Sequence, residues 1–208
     1  MRARGCWLAL AWLVTGPLQA ASGAEQVSAA APLKAPAEFQ NIQDKNARSV
    51  ALFVEAGKVI NSPRCMNCHP ALRAPTQGDD RHPHVPPIAA GESGMGKPGL
   101  FCMACHQTRT VALSGTAFPS IPGHEHWMLA PESMAWQGKT LGQICEQIKD
   151  TKRNGGRDLK QITEHMGKDT LVGWAWHPGP GRTPAPGTQE VFGQLIQAWI
   201  DNGAQCPR

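Results

Sequence analysis

The chain of 208 residues has 20 Lys and Arg against 16 Asp and Glu, a formal net charge of +4. This small excess does not support nucleic-acid binding, which needs a concentrated basic surface. The sequence has no Tyr and only 5 Phe, whereas Gly and Pro number 22 and 18, a composition near the level at which loops dominate. So few large apolar side chains fill a core poorly, and we expect a bulky apolar cofactor to complete it.

The first 24 residues have the pattern of an export signal. Arg2 and Arg4 precede an apolar run from Trp7 to Val14, and the small residues of "QAASGA" follow. A basic start, a short apolar run and a small-residue cleavage zone are typical of a secretory signal peptide. The run is short for a bilayer span. We predict a Sec-type signal peptide over 1–24 and a periplasmic protein without a stable membrane span. An uncleaved N-terminal anchor is the alternative.

The predicted elements after the signal are helices and loops, with no convincing strand pattern. Residues 25–43 are expected to be a flexible N-terminal segment, and 44–208 to be the folded domain. Asp44 is a candidate N-cap for a first helix, "KNARSVALFVEAGKVI", with Phe53 and Val54 near one face. This helix leads the chain towards the first of two cysteine-rich motifs.

Residues 70–135 are rich in Pro, Gly and His, which predicts mostly loop with short helical turns. Three helices are predicted beyond them. Thr140 opens "LGQICEQIKDTK" with a capping box, Asp158 caps "LKQITEHMG", and Thr188 opens "QEVFGQLIQAWIDNG". The predicted fold class is mainly α, with a few helices and long loops.

Two copies of the pattern C-x-x-C-H are the strongest functional signal. Their residues are Cys65, Cys68 and His69, and Cys102, Cys105 and His106. The pattern is typical of c-type haem attachment. Two thiols on one helical turn match the two vinyl groups at one edge of a haem, and the next residue supplies an imidazole nitrogen to the iron. We predict two covalent c-type haems bound by these six residues, with both histidines as iron ligands.

Zinc is the main alternative cofactor, because two C-x-x-C pairs can supply four thiolates to a structural zinc module. A thioredoxin-like redox pair is a second alternative, but the chain lacks the β-α-β pattern that accompanies it. A histidine follows each pair directly, and the export signal places the chain where haem is attached. Both observations favour haem.

These two motifs resemble those of the diheme c-type cytochromes. The resemblance implies covalent haem, His69 and His106 as proximal ligands, and one-electron transfer between redox proteins rather than an enzyme activity. The downstream text "HWMLAPESMAW" and "IKDTKRNGGR" is similar to that of small periplasmic cytochromes labelled isoquinoline 1-oxidoreductase subunits. That similarity implies a periplasmic molybdenum hydroxylase as an electron-donating partner. The motifs lie close in sequence, so we expect helices and loops to wrap both haems in one shared core.

Several side chains are candidates for the distal iron ligands, and the identity of these ligands tunes the reduction potential. Pro83 in "RHPHV" holds the chain extended, so that His82 and His84 point to the same side. We favour His84 as one ligand and His126, in "GHEHW", as another. Other candidates are His82, His165 and Met134. An iron without a strong distal ligand would instead suit a haem peroxidase-like enzyme.

The remaining cysteines predict one disulfide. Cys6 lies in the signal, which leaves Cys145 and Cys206 in an oxidising compartment. The tryptophans of the mature chain are expected to pack in the haem pocket. Arg157 and Arg182 are candidate partners of haem propionates, since a guanidinium suits a carboxylate; a plain surface charge is the alternative for each.

Overall fold

A computed structural model describes residues 32–116 and 118–208, so the predicted signal peptide lies outside the described residues. Along this part the α-helices are Lys45–Ile60 (α1), Pro63–Cys68 (α2), Leu141–Lys149 (α3), Leu159–Lys168 (α4), Thr170–Gly173 (α5) and Gln189–Asp201 (α6). The strands are Thr76–Gln77 (β1), His82–Pro83 (β2), Gly96–Lys97 (β3), Leu100–Phe101 (β4), Arg109–Ala112 (β5) and Ser120–His124 (β6). The predicted mainly α class is confirmed.

The strands form three separate antiparallel ribbons, β1–β2, β3–β4 and β5–β6. The sequence has no convincing strand pattern at these positions. Most of these strands have only two residues, too few for an alternating pattern to be read from the sequence. The ribbons lie between α2 and α3, where they give shape to the long predicted loop that contains the second motif.

The predicted helix starts are confirmed, because each has the capping residue that the sequence indicated. The Asp44 carboxylate accepts from the Ala47 amide at 2.6 Å. Thr140, Asp158 and Thr188 cap α3, α4 and α6 in the same manner. A side-chain cap of this kind is worth about 1 kcal/mol, so local sequence fixes where the main helices begin.

The core lies where α1, α4 and α6 pack together. Phe53 and Trp199 lie with ring centroids 4.8 Å apart. The buried Ser49 hydroxyl donates to the Trp199 carbonyl at 3.0 Å and accepts from the Gln205 amide at 2.9 Å. Val54, expected on the same face as Phe53, is 49% exposed. The buried face of α1 is the one that carries Leu52, Phe53 and Ala56, and Val54 lies outside it.

Packed structure begins ahead of the predicted boundary at Asp44. A 3-10 turn spans Pro36–Phe39, and Phe39 is buried in the core. The Lys34 amide donates to the Glu55 carboxylate of α1 at 2.9 Å. Packed structure therefore extends into the predicted flexible segment, because one aromatic side chain and one buried carboxylate attach these residues to the core and to α1.

The predicted disulfide is confirmed. Cys145 on α3 is bonded to Cys206 near the C-terminus, with their Cα atoms 5.6 Å apart. This bond holds the end of the chain after α6 against α3. In the described part of the chain, no helix combines the length and apolar character that a membrane crossing requires.

The contact between α4 and α6 depends on two glycines. A Cβ atom at Gly193 would lie 2.7 Å from the Gly167 Cα atom, a backbone atom that cannot rotate away. We expect Gly193→Ala to lower the free energy of unfolding by about 1–3 kcal/mol, the usual cost of overpacking. Guanidinium titration of the purified protein measures this. The control is Gln194→Ala on the exposed side of α6, which should leave the midpoint within error. An equal midpoint for Gly193→Ala would contradict the close contact.

Candidate haem-attachment site

The first motif lies on α2 and directly after it. Pro63 occupies the first turn, where its missing N–H removes no helical hydrogen bond. Cys65 and Cys68 are three residues apart on this helix and therefore share one face. The helix ends at His69, whose amide donates to the Cys65 carbonyl at 3.1 Å. This short helix brings both thiols and the imidazole to one place.

The second motif has the same design on a tighter turn. The β3–β4 ribbon leads into a 3-10 turn over Cys102–Ala104. The amides of Cys105 and His106 both donate to the Cys102 carbonyl, at 3.2 and 2.9 Å. Thiols and imidazole are again gathered within one turn, although the flanking elements of the two motifs differ.

Both motif histidines have the same hydrogen bond. His69 Nδ1 lies 2.7 Å from the Met134 carbonyl oxygen, and His106 Nδ1 lies 2.7 Å from that of Pro122. Because a carbonyl oxygen only accepts, each Nδ1 carries the proton. The Nε2 lone pair of each ring is left for a metal. A second-shell carbonyl that fixes the tautomer is typical of metal-binding histidines.

Both imidazoles also stack on a tryptophan. His69 lies on Trp136 with ring centroids 3.5 Å apart and planes 5° from parallel. His106 lies on Trp127 at 4.6 Å and 9°. A stacked indole restricts rotation of the imidazole, so each ring is held by packing as well as by its hydrogen bond. The expectation that tryptophans pack at these sites is met for this pair of residues.

Burial keeps both imidazoles neutral. It lowers the pKa of His69 to about 4 and that of His106 to about 4 as well. The hydrogen bonds to the Met134 and Pro122 carbonyl oxygens raise these pKa values, but by less than burial lowers them. At pH 7 each ring is therefore an uncharged ligand, the form that binds metals.

All four motif cysteines are free of disulfide bonds. Burial raises the pKa of Cys65 to about 12 and that of Cys68 to about 11, and it also raises the pKa of Cys102. These groups are therefore neutral thiols at pH 7. A metal ion or an attached cofactor would replace these thiol protons.

The four-cysteine zinc site considered as an alternative is not formed. Across residues 32–116 and 118–208, no three His, Cys, Asp or Glu side chains are grouped closely enough to hold a metal ion. The two cysteine pairs remain separate, one on α2 and one on the 3-10 turn. This arrangement suits two separate cofactors, each attached through its own pair.

Residues 127–136, which we call the bracing segment, contact both motifs. Trp127 stacks on His106 at one end, and Met134 and Trp136 hold His69 at the other. Between them the Ala130 amide donates to the Cys68 carbonyl at 3.2 Å. A single ten-residue stretch therefore contacts both imidazoles, one near each of its ends.

His84 lies close to the imidazole of the second motif. Its ring centroid is 5.9 Å from that of His106, with the planes inclined by 58°. At this centroid distance the two rings could hold a metal ion, because a metal–nitrogen bond is about 2 Å long and each ring centre lies about 1 Å beyond its nitrogen. His84 Nδ1 donates to the Pro86 carbonyl at 2.8 Å, which leaves its Nε2 lone pair available.

His82, the other histidine of "RHPHV", makes a different contact. Strand β2 is extended as expected, but His82 Nδ1 bonds to the Asp80 carboxylate at 2.6 Å. His126 is exposed, and its ring lies beside His124, with centroids 6.1 Å apart. Both ring nitrogens of His124 are engaged, one by the His126 amide and one by the Thr170 hydroxyl. Of the two favoured distal candidates, His84 and His126, it is therefore His84 that lies beside a motif histidine.

His165 lies on α4, and burial lowers its pKa. Its Nδ1 bonds to the Asp169 carboxylate at 3.1 Å. Met134 is buried and contributes its carbonyl oxygen to His69. Of these two candidates, Met134 is therefore the one with a direct hydrogen bond to the first motif.

Several large apolar side chains in the loops around the motifs are exposed. Leu72 is 75% exposed and Phe101 is 53% exposed. Others in the same part of the chain are Val85, Met95, Leu100, Val111, Phe118 and Met128. A haem attached to each cysteine pair would fit the free thiols and the available Nε2 atoms.

No family model, curated protein or solved structure matches this chain. The case for a function therefore rests on the two motifs and the contacts around them. The sequence predicts the six motif residues as haem-binding residues and His84 as a distal ligand, and these assignments stay predictions. Sequence reasoning did not assign Trp127 and Trp136 to particular histidines, since each pairing spans a loop whose path no local pattern fixes. It also missed Arg64, which precedes the first motif and is 2% exposed.

Proposed function

We propose that this chain is a periplasmic diheme cytochrome c that carries single electrons between redox proteins. The observation that supports the proposal most is the matched support of the two motif histidines. Each has its Nδ1 proton donated to a carbonyl and its ring stacked on a tryptophan. Two unrelated flanking structures arrive at one arrangement, and that arrangement suits an iron ligand.

In this proposal the cysteines of each motif hold one haem through thioether bonds, and the motif histidine is its proximal ligand. The haem iron supplies the chemistry, a change of one electron between its ferric and ferrous states. The chain holds the imidazoles in one orientation, so that little has to move when the charge changes. The bracing segment contacts the imidazoles of both sites, which supports transfer between them as part of the proposal.

His84 is our proposed distal ligand for the second site, on its distance from His106. His82, His165 and Met134 remain candidates, and His126 remains a predicted ligand. The similarity to cytochromes labelled isoquinoline 1-oxidoreductase subunits makes a periplasmic molybdenum hydroxylase the proposed electron donor. Residues 1–24 support the proposed export.

The direct test is to express the full chain with a haem-attachment system and to assay it as the pyridine haemochrome. We expect two haems per chain, with low-spin spectra that change reversibly between the oxidised and reduced protein. A colourless protein would contradict the proposal. A stable high-spin iron that reacts with peroxide would favour the haem peroxidase-like alternative.

The role of His84 makes a separate prediction. We expect His84→Ala to convert one of the two haems to a high-spin spectrum while both remain attached, because the thioether bonds do not depend on the distal ligand. Magnetic circular dichroism of the ferric protein distinguishes the two spin states. His177→Ala is the control, since His177 is exposed in the loop after α5. His126→Ala run beside it tests the other predicted ligand. An unchanged low-spin spectrum for His84→Ala would contradict the assignment.

A further inference from the structure

A network of three polar side chains connects the first motif to strand β1 and to the chain after the bracing segment. The Asn67 amide, inside the motif, donates to the Gly78 carbonyl at 2.8 Å, and its oxygen accepts from the Thr76 hydroxyl at 2.7 Å. The Thr76 oxygen in turn accepts from the Gln137 amide at 2.9 Å. All three side chains belong to half-buried residues, where a hydrogen bond is stronger than in water.

Gln137 is the residue at which this network meets the backbone of the motif. Its Nε2 also donates to the Met66 carbonyl at 3.1 Å, and its Oε1 accepts from the Ala71 amide at 3.3 Å. Met66 lies between the two cysteines, and Ala71 follows shortly after His69. One side chain is therefore bonded to the backbone on both sides of His69. Both N–H groups of its amide and the amide oxygen are engaged.

The same stretch of backbone carries the support of the His69 imidazole. The amides of Trp136 and Gln137 donate to the His69 carbonyl at 2.9 and 3.3 Å. The Trp136 ring lies on the His69 ring with centroids 3.5 Å apart. Because Gln137 directly follows Trp136, the bonds of its side chain also fix the place of the indole. Without them the indole is free to shift against the imidazole.

The second motif lacks the two side chains from which such a network is built. Ala104 occupies the position that corresponds to Asn67, and its side chain has no polar atom. The residue that follows the stacked Trp127 is Met128, whose thioether cannot donate a hydrogen bond. A change at Gln137 should therefore affect the first site and spare the second.

We propose that Gln137 is a positioning residue of the first haem site, where it holds the motif against Trp136 and so keeps the His69 imidazole in one orientation. This inference rests on the proposed function. Groups that bond to the surroundings of a metal ligand set the orientation of that ligand. We expect Gln137→Met, which keeps the size of the side chain but removes its hydrogen bonds, to shift the g values of the first ferric haem.

Single-haem proteins make the test specific to one site. Gln137→Met is introduced into the full chain with serine at Cys102 and Cys105, which should carry the first haem alone, and into the chain with serine at Cys65 and Cys68. Electron paramagnetic resonance of each ferric protein reports the orientation of the imidazole plane through the g values. We expect a shift in the first protein and none in the second.

The matched control is Gln194→Met, the same exchange on the exposed side of α6, which should leave both spectra unchanged. Thr76→Val breaks one bond of the network and should produce a smaller shift of the first haem. Added to Gln137→Met it should produce little more, because residues in one network are not additive. If Gln137→Met does not fold, the shift in Thr76→Val decides.

Haem content of the wild-type chain is measured first, which separates the two proposals. A chain without haem would overturn both. Two attached haems, with unchanged g values in the first-haem protein carrying Gln137→Met, would overturn the positioning role alone. Equal shifts in the two single-haem proteins would also overturn it, since Gln137 would then support the fold in general.

Discussion

Replacing both Cys102 and Cys105 by serine is expected to reduce the haem content from two per chain to one. Serine hydroxyls do not form the thioether bonds, whereas the first motif has its own thiols on α2 and its own support from Met134 and Trp136. The pyridine haemochrome assay, normalised to protein, gives the stoichiometry. Denaturing mass spectrometry identifies which peptide keeps the haem.

The matched control for this change is Met103→Ala, which alters the same turn but leaves both thiols and His106 in place. It should retain two haems. The reciprocal change, serine at Cys65 and Cys68, should also leave one haem, now on the second motif. Loss of both haems from either double variant would show that the sites are not independent. Retention of two haems would contradict covalent attachment at the altered motif.

Removing the disulfide is expected to produce the largest loss of stability. The bond between Cys145 and Cys206 spans 61 residues. For a loop of that length, chain entropy predicts a stabilisation of about 4 kcal/mol. Cys145→Ala combined with Cys206→Ala should therefore lower the free energy of unfolding by about that amount, as measured by guanidinium titration.

Haem content separates this effect from damage at the motifs. The double alanine variant should keep two haems per chain, because the bond joins α3 to the end of the chain and neither cysteine belongs to a motif. A mild reductant should destabilise the wild-type protein to a similar degree and leave the variant unchanged. A loss below about 1 kcal/mol would mean that the unfolded chain is already constrained in another way.

The parts of the fold that the sequence predicted are those with a local cause. Thr140 with Gln143 specifies the start of α3, and Asp158 with Gln161 specifies that of α4, because a capping box is complete within four residues. The disulfide followed from the small number of cysteines. These features need no knowledge of the path that the chain takes between them.

The parts that could not be predicted depend on distant residues. Phe39 packs into the core from a segment whose composition indicated flexibility. Trp136 reaches His69 only because the chain returns after the long loop that contains the second motif. Arg64 in "SPRC" has no feature that distinguishes it from a surface arginine until Asp79 and Gly78 enclose it. Tertiary contacts of this kind leave no periodic signal in the sequence.

The bracing segment also has a consequence for the order of folding. His69 bonds to a carbonyl 65 residues further along the chain, whereas His106 bonds to one only 16 residues away. The longer loop costs about 1.2 kcal/mol more in closure entropy. The chain emerges with its N-terminus first, so the first motif appears early. The support of its histidine is complete only after Met134 and Trp136 have also appeared. The second motif appears later, but fewer residues separate it from Pro122 and Trp127, which support its histidine. We therefore expect the second site to mature first, so that the sites assemble in the reverse of their order in the sequence.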